Sequence, residues 1–308
     1  MHHISDQTQK WVEDQLEGKI LSWAPMPGGM SSQISLLKIK KKNSINEVVL
    51  REYTDTQWLK TAPSIAFQEA ENLKQAEQVS LSTPICLAVD GHATQTTWPS
   101  LLMSHLKGSV ELRPEDFNHW LDQLAKALFM IHQINAPSIK HHYFPYFDSS
   151  QPVKADWSSV PEKWEKAFKI LKQQKRPDFL PTFIHRDFHP TNVLFEKGEV
   201  SAVVDWPNAC IGPREIDIAH CRWNLAMLYG QKAANDFLKA YLAMDKHFTY
   251  DYYWDLEALG NVFSEERPEV YGGWQVFGNT NITQADMIER MDVFLMNALE
   301  KQLKFQPE

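Results

Sequence analysis

Apolar residues in the first hundred positions come mostly in short runs. Lys19 to Met26, Gln33 to Lys40 and Glu47 to Tyr53 each read as a strand. Pro27-Gly28-Gly29 and Lys42-Asn43-Ser44 separate them with turn-forming residues, so the three runs predict an antiparallel meander. A helix is expected before them over Ser5 to Leu16, with Trp11, Val12, Gln15 and Leu16 on one side and Gly18 as a stop. Between Ala62 and Val79 the period becomes helical, with Ile65, Ala66, Ala70, Leu73 and Ala76 on one face. Ile85 to Val89 and Thr96 to Ser104 are again extended, and Asp90-Gly91 is the hairpin turn expected to lead from one to the other.

From Pro114 onward the helical period dominates. Phe117, Trp120, Leu121, Leu124, Leu128 and Ile131 recur at helical spacing behind the first turn Pro114-Glu115-Asp116. Residues 135 to 155 read as a loop rich in aromatics, including His141 to Phe147. Two adjacent histidines on a regular element cannot comfortably share a metal, so His141-His142 reads as surface loop. Val160 to Gln174, opened by Pro161, is amphipathic on Trp164, Phe168 and Leu171. Another helix starts at Gly212 to Ala219 with Pro213 in its first turn, and Gln231 to Met244, Tyr250 to Phe263 and Thr283 to Phe305 are mainly helical. The expected fold class is α+β: residues 1–104 form a small antiparallel sheet lobe with one main helix, and residues 105–308 a larger, mostly helical lobe.

A chain of 308 residues with 43% apolar and 12% aromatic residues can fill two cores. The formal net charge of −8 argues against a nucleic-acid partner, and the one dense basic run, Lys38 and Lys40 to Lys42, belongs to a solvated hairpin end. No stretch approaches eighteen apolar residues and the amino terminus lacks a signal pattern, so neither a membrane span nor export is expected. Cys86, Cys210 and Cys221 contain no C-x-x-C pair, which favours reduced thiols and a cytoplasmic location. Cys210, His220 and Cys221 fit no common zinc spacing.

The chemistry concentrates between Phe183 and Trp206. Val193-Leu194-Phe195 and Val200 to Val204 are two short apolar runs joined by Glu196-Lys197-Gly198-Glu199, which predicts a hairpin. His185-Arg186-Asp187 and Asn192 stand on the entering side, Asp205 on the leaving side. Magnesium keeps several waters and takes one or two protein oxygens beside substrate phosphates, for which Asn192 and Asp205 suffice. Asp187 is then available to orient an alcohol and accept its proton as it attacks phosphorus. The spacing is that of the H-R-D…N loop of phosphoryl transfer. As a plain surface hairpin, the stretch would need only capping Asp and Asn residues.

His185 to Phe195 followed by Val204-Asp205-Trp206 resembles the aminoglycoside phosphotransferase and choline kinase family, which shares the protein kinase-like two-lobe fold. The His189-Pro190 and Asp205-Trp206 pairs are similar to its small-molecule branch, whereas Arg186 stands where those members usually have glycine. The resemblance implies a kinase that uses Mg2+ and ATP or GTP and phosphorylates a hydroxyl of a small, cationic acceptor such as an aminoglycoside or choline-like compound. Alternatives are a catalytically silent module that binds nucleotide or a partner, or a protein kinase. The latter lacks its Asp-Phe-Gly, its glycine-rich loop and its Ala-Pro-Glu segment here.

Further assignments concern the nucleotide. Arg51 ends the third strand, where a cation could reach the α- and β-phosphates, a reading favoured over a surface arginine on an edge strand. The resemblance makes Glu69 its partner, with Glu71 as rival. Gly28 to Ser32 is a plain turn or, as the resemblance favours, a phosphate-covering one in which Gly29, Ser31 and Ser32 contact nucleotide. Met103 and His105 lie in a hinge-like stretch whose backbone would face the purine. The resemblance gives Asp217 the task of holding the Asp187 loop, and a helix-start carboxylate is favoured there in any case. Trp223, Tyr252, Tyr253, Trp254 and Trp274 with Asp251, Asp255, Glu257, Glu265, Glu266 and Glu269 could surround a cationic acceptor. The stronger reading is core aromatics and solvated acidic faces, and no acceptor residue is assigned from them.

Overall fold

The alternation of apolar and polar positions sets the sheet. In β2 (Gln33–Lys41) Ser35, Leu37 and Ile39 are buried at every second position, the period of a strand with one covered face. The structure, a computed structural model, describes residues 3–29, 31–42, 44–136, 138–145, 150, 153–263, 267–279 and 281–304. The chain divides into two units, Met1–Gly108 with Ser201–Ala209, and Ser109–Val200 with Cys210–Glu308.

In the first unit β1 (Lys19–Pro25), β2, β3 (Ser44–Glu52), β4 (Cys86–Asp90) and β5 (Ser100–Ser104) form one antiparallel sheet in the order β1-β2-β3-β5-β4. α1 (Asp6–Leu16), capped by the Ser5 hydroxyl, contributes Trp11, Val12 and Leu16 to a core with Leu37, Ile39, Val48, Leu50 and Leu102. α3 (Ile65–Ala76) buries Ile65, Ala66, Leu73 and Ala76, and a short α2 (Thr56–Thr61) precedes it. The expected two-residue hairpin at Asp90-Gly91 is corrected: residues 91–99 connect β4 to β5. The buried Asp90 carboxylate organises that loop by accepting from the N–H groups of Thr94 and Gln95 and the hydroxyls of Thr94 and Thr96.

In the second unit α4 (Phe117–Ile131), α5 (Pro161–Gln173), α6 (Arg214–Tyr229), α7 (Gln231–Met244), α8 (Tyr253–Ala258), α9 (Gly272–Val276) and α10 (Gln284–Lys304) supply most of the core. β6 (Pro181–Ile184) pairs antiparallel with β9 (Cys210–Pro213), two short strands that the apolar pattern did not mark. β7 (Val193–Glu196) and β8 (Glu199–Val203) form the expected hairpin. Its turn residues Lys197 and Gly198 have φ of 56° and 81°, the left-handed pair that a two-residue hairpin needs. Pro213 caps α6 from outside instead of lying in its first turn.

α6 is buried on nearly all sides, packed by α7, α8 and α10. Such a helix tolerates charge only where it is paired. The fully buried Arg222 donates from Nε and Nη2 to Asp255 at 3.0 Å each, and from Nη1 to the Ala234 carbonyl at 2.8 Å. Tyr250 donates a further bond to Asp255 at 2.6 Å. The three cysteines are free thiols, and no helix among the described residues is long and apolar enough to cross a membrane. Arg222→Met should cost about 3–5 kcal/mol in denaturant unfolding, because it strands a buried carboxylate, and adding Asp255→Leu should recover part of that loss.

Candidate active site

In the second unit, β6 ends at Ile184 and hands the chain to His185-Arg186-Asp187. Arg186 has φ of +70°, a left-handed conformation that disfavours any residue with a Cβ. The turn is held by Asp217, fully buried in the first turn of α6, whose Oδ2 and Oδ1 accept the N–H groups of His185 and Arg186 at 2.7 Å each. His132 at the end of α4 lies 3.3 Å from Asp217 Oδ2 through Nε2 and 2.7 Å from the Tyr241 hydroxyl through Nδ1. The guanidinium of Arg186 stacks on Tyr143 at 4.6 Å and donates to the Phe144 carbonyl at 3.3 Å.

Asp187 therefore leaves a fixed backbone. Its side chain keeps 31% of its surface exposed. His220 Nε2 lies 3.1 Å and His189 Nε2 3.6 Å from Asp187 Oδ1. Burial alone would raise this carboxyl, but the His220 hydrogen bond and the nearby His189, His220 and His185 side chains hold it well below the usual carboxylate range. Asn192, in the short 3-10 turn Pro190–Asn192, donates its Nδ2 to the Asp187 carbonyl at 2.9 Å, which leaves Oδ1 as its acceptor atom. The ligand atoms of Asp187, His189 and His220 lie within 4.8 Å of one another and could also hold a metal ion.

In the first unit, Arg51 is the hub. It is 3% exposed, donates from Nε to Ser32 Oγ at 2.9 Å, and from Nη1 to Glu69 Oε1 at 3.1 Å and Asp205 Oδ1 at 2.6 Å. Burial works against its charge, and Asp205 and Glu69 outweigh it, so the guanidinium titrates well above its ordinary range. Glu69 also accepts from the Tyr53 hydroxyl and from the Trp206 N–H. Desolvation nevertheless keeps its carboxyl above the usual value, against the pull of Arg51. Glu71 is exposed. Asp205 has φ of +70° and is 30% exposed, and α3 fixes the loop behind it. Gln68 donates to the Pro207 carbonyl at 2.9 Å, and Asn72 to those of Trp206 and Ala209 at 2.8 and 2.9 Å.

The remaining expected nucleotide residues are placed more loosely. Gly29 has φ of +58°, and a Cβ on it would stand 2.6 Å from the Ser32 carbonyl, so the turn itself requires glycine. Ser31 is half-buried beside it, while Met30 lies outside the described residues. Met103 is buried on β5, and the His105 imidazole stands 3.1 Å from Glu47. Of the acidic residues considered for an acceptor, Asp255 is engaged by Arg222. Glu257 is engaged by Arg176 and Tyr143, and Asp251 caps the Tyr253 N–H. Glu265 and Glu266 lie outside the described residues.

Several residues escaped the sequence. Tyr53 lies two positions beyond Arg51, Asn72 three beyond Glu69 and His220 three beyond Asp217, spacings that place each on the same strand face or helix side as its neighbour. Those offsets were usable signals. His132 had none, because α4 meets α6 only in the folded chain.

Solved structures show the class of fold. A thermostable mutant of aminoglycoside phosphotransferase APH(4)-Ia, in ternary complex with ADP and hygromycin B, is 14% identical with a TM-score of 0.62, covering 94% of this chain and 98% of its own. A streptomycin–ATP–APH(2")-IIa ternary complex is 15% identical with a TM-score of 0.54, covering 99% and 98%. Macrolide 2'-phosphotransferase MphH from Brachybacterium faecium is 15% identical with a TM-score of 0.55, covering 83% and 88%. The fold is the kinase-like one, with an antiparallel sheet lobe and a helical lobe, as the resemblance implied. The family model of the phosphotransferase enzyme family matches residues 22–254, and the chain belongs to that family. No curated protein matches.

The buried Asp217–His132 pair makes stability depend on pH. Burial opposes the ionisation of Asp217, but His132 and the His185 N–H outweigh it and leave the carboxyl below its ordinary value. That contribution is complete above about pH 3.9 and is lost as pH falls through the lower folded value. Burial lowers His132, against the pull of Asp217, so its contribution is complete above about pH 6.5 and declines as pH falls from there. Urea unfolding across pH should therefore show stability declining from about 6.5 downward and again below about 4. Asp217→Asn should cost about 1.5–3 kcal/mol at neutral pH and shrink the lower step.

Proposed function

We propose that this phosphotransferase moves the γ-phosphoryl group of ATP or GTP to a hydroxyl of a small acceptor, with Asp187 as its catalytic carboxylate. The observation that carries this is the state of Asp187. It is ionised, partly exposed, and mounted on a turn that Asp217 fixes by two short hydrogen bonds. Such a carboxylate orients the acceptor O–H and takes its proton as the new O–P bond forms, while the bond from the γ-phosphorus to the bridging oxygen breaks and leaves its electron pair on the nucleoside diphosphate.

Asn192 and Asp205 would hold magnesium. Each fits by its own chemistry, since a carboxamide oxygen and a carboxylate oxygen are hard donors, and among the described residues Asp205 Oδ2 has no hydrogen-bond partner. Bound magnesium supplies positive charge to the phosphate oxygens in the transition state. Arg51, already charged and braced by Glu69, would add a second cation at the phosphates, with Gly29, Ser31 and Ser32 over them and Met103 and His105 beside the base.

For the acceptor, an amino sugar or a macrolide is supported by the neighbours solved with hygromycin B or streptomycin and by the macrolide enzyme, and a choline-like alcohol is the alternative that the family resemblance implies. Aromatic rings extend from the Asp187 imidazoles through Trp223 on His220, Tyr271 on His189 and Trp274 on Tyr271. Trp274 is buried, so the exposed Tyr271 is the ring that suits an amine or a sugar ring.

The test is nucleoside diphosphate release from Mg-ATP and Mg-GTP against amino-sugar antibiotics, macrolides, choline, ethanolamine and homoserine. At least one acceptor should stimulate release. Asp187→Asn should lower that rate by about 10²–10⁴-fold with little change in nucleotide binding. Undiminished release in the variant would remove Asp187 from the reaction.

A further inference from the structure

Helix α6 touches the Asp187 turn at two points, one helical turn apart. Asp217 takes the backbone N–H groups of His185 and Arg186, and three residues later His220 reaches the side chain of Asp187 itself. The two carboxylate oxygens of Asp187 consequently have different surroundings. Oδ1 meets His220 Nε2 at 3.1 Å and His189 Nε2 at 3.6 Å, whereas among the described residues Oδ2 has one long contact, 3.4 Å from Asn192 Nδ2.

His220 is itself held. Asn224 Nδ2 donates to the His220 carbonyl at 3.0 Å and lies 3.3 Å from its Nε2, and the Trp223 ring meets the imidazole edge-on at 5.9 Å. Its side chain is 17% exposed against 31% for Asp187. A carboxylate anchored only through its Cβ rotates and presents either oxygen. One fixed donor on Oδ1 removes that freedom before the acceptor arrives.

We infer, on the reading of Asp187 as the carboxylate that meets the acceptor, that His220 is a positioning residue. It carries the proton on Nε2, ties Asp187 Oδ1 and so turns Oδ2 toward the acceptor hydroxyl. His220 meets neither nucleotide nor acceptor; it acts through Asp187. Gln, whose amide nitrogen reaches the place of the imidazole Nε2, can substitute as donor, and Ala cannot.

Two measurements test this. Long-range proton–nitrogen spectra of the imidazoles in EDTA-treated protein, with His220 assigned from the His220→Gln spectrum, should show the Nε2-protonated tautomer, and Asp187→Asn should shift that signal. A signal indifferent to Asp187→Asn, or one that forms only when zinc chloride is added, overturns the contact as a hydrogen bond. ADP formation from Mg-ATP with water as acceptor should fall about 10- to 100-fold in kcat for His220→Ala with KM for Mg-ATP unchanged, and recover in His220→Gln. Wild-type kcat in His220→Ala overturns the inference, as does a fall that Gln fails to restore or that brings KM and melting temperature down together. Absence of ADP formation in the wild type, with water and with every acceptor tried, fells the phosphotransfer reading, and His220's kinetic role falls with it. The imidazole spectra still decide the contact separately.

Discussion

A buried carboxylate must be given donors, and at Asp217 the donors are the backbone of the turn that leads to Asp187. Its two oxygens take the N–H groups of His185 and Arg186, and a buried imidazole stands behind. Each partner needs the other, because the amides would be stranded without the carboxylate and the carboxylate would be destabilised without the amides. That mutual dependence holds Arg186 in a left-handed conformation it would not otherwise favour and delivers Asp187 from a backbone with little freedom. Stacking of Arg186 on Tyr143 offers partial compensation for the strain that a glycine would avoid.

The first unit solves a related problem with charge. Arg51 and Glu69 are both almost fully buried, an arrangement whose desolvation cost is tolerable only with dense hydrogen bonding. Ser32, Tyr53, Asp205 and the Trp206 N–H supply it. α3 then contributes twice, through the Glu69 carboxylate and through the Gln68 and Asn72 amides that bind carbonyls of the 206–209 loop. The chain segment Ser201–Ala209 thus belongs to the sheet unit by its contacts, although the helical unit flanks it in sequence.

Sequence reasoning reached what local pattern encodes. The β1–β2–β3 meander, α4 and α7 follow from strand and helix periodicity, and the hairpin turn at Lys197-Gly198 from its glycine. The spacing from Asp187 to Asn192 was legible because one short turn spans it. What stayed hidden depends on distant partners. β6 and β9 are four residues each and become strands only by pairing across the intervening hairpin. The acidic residues near the carboxyl-terminal helices could not be sorted into pocket or core until Arg222 and Arg176 were seen to claim Asp255 and Glu257. His132 and His220 look like any helical histidines until α6 brings them to Asp217 and Asp187.

The central claim is that Asp187 directs a phosphoryl group onto an alcohol. Phosphorus NMR of the protein with Mg-ATP and each acceptor follows the transferred group itself. The account predicts a new phosphomonoester resonance that grows with ADP in the wild type and is absent with Asp187→Asn. Inorganic phosphate as the sole product with every acceptor, or an ester that forms equally fast in the variant, would contradict it.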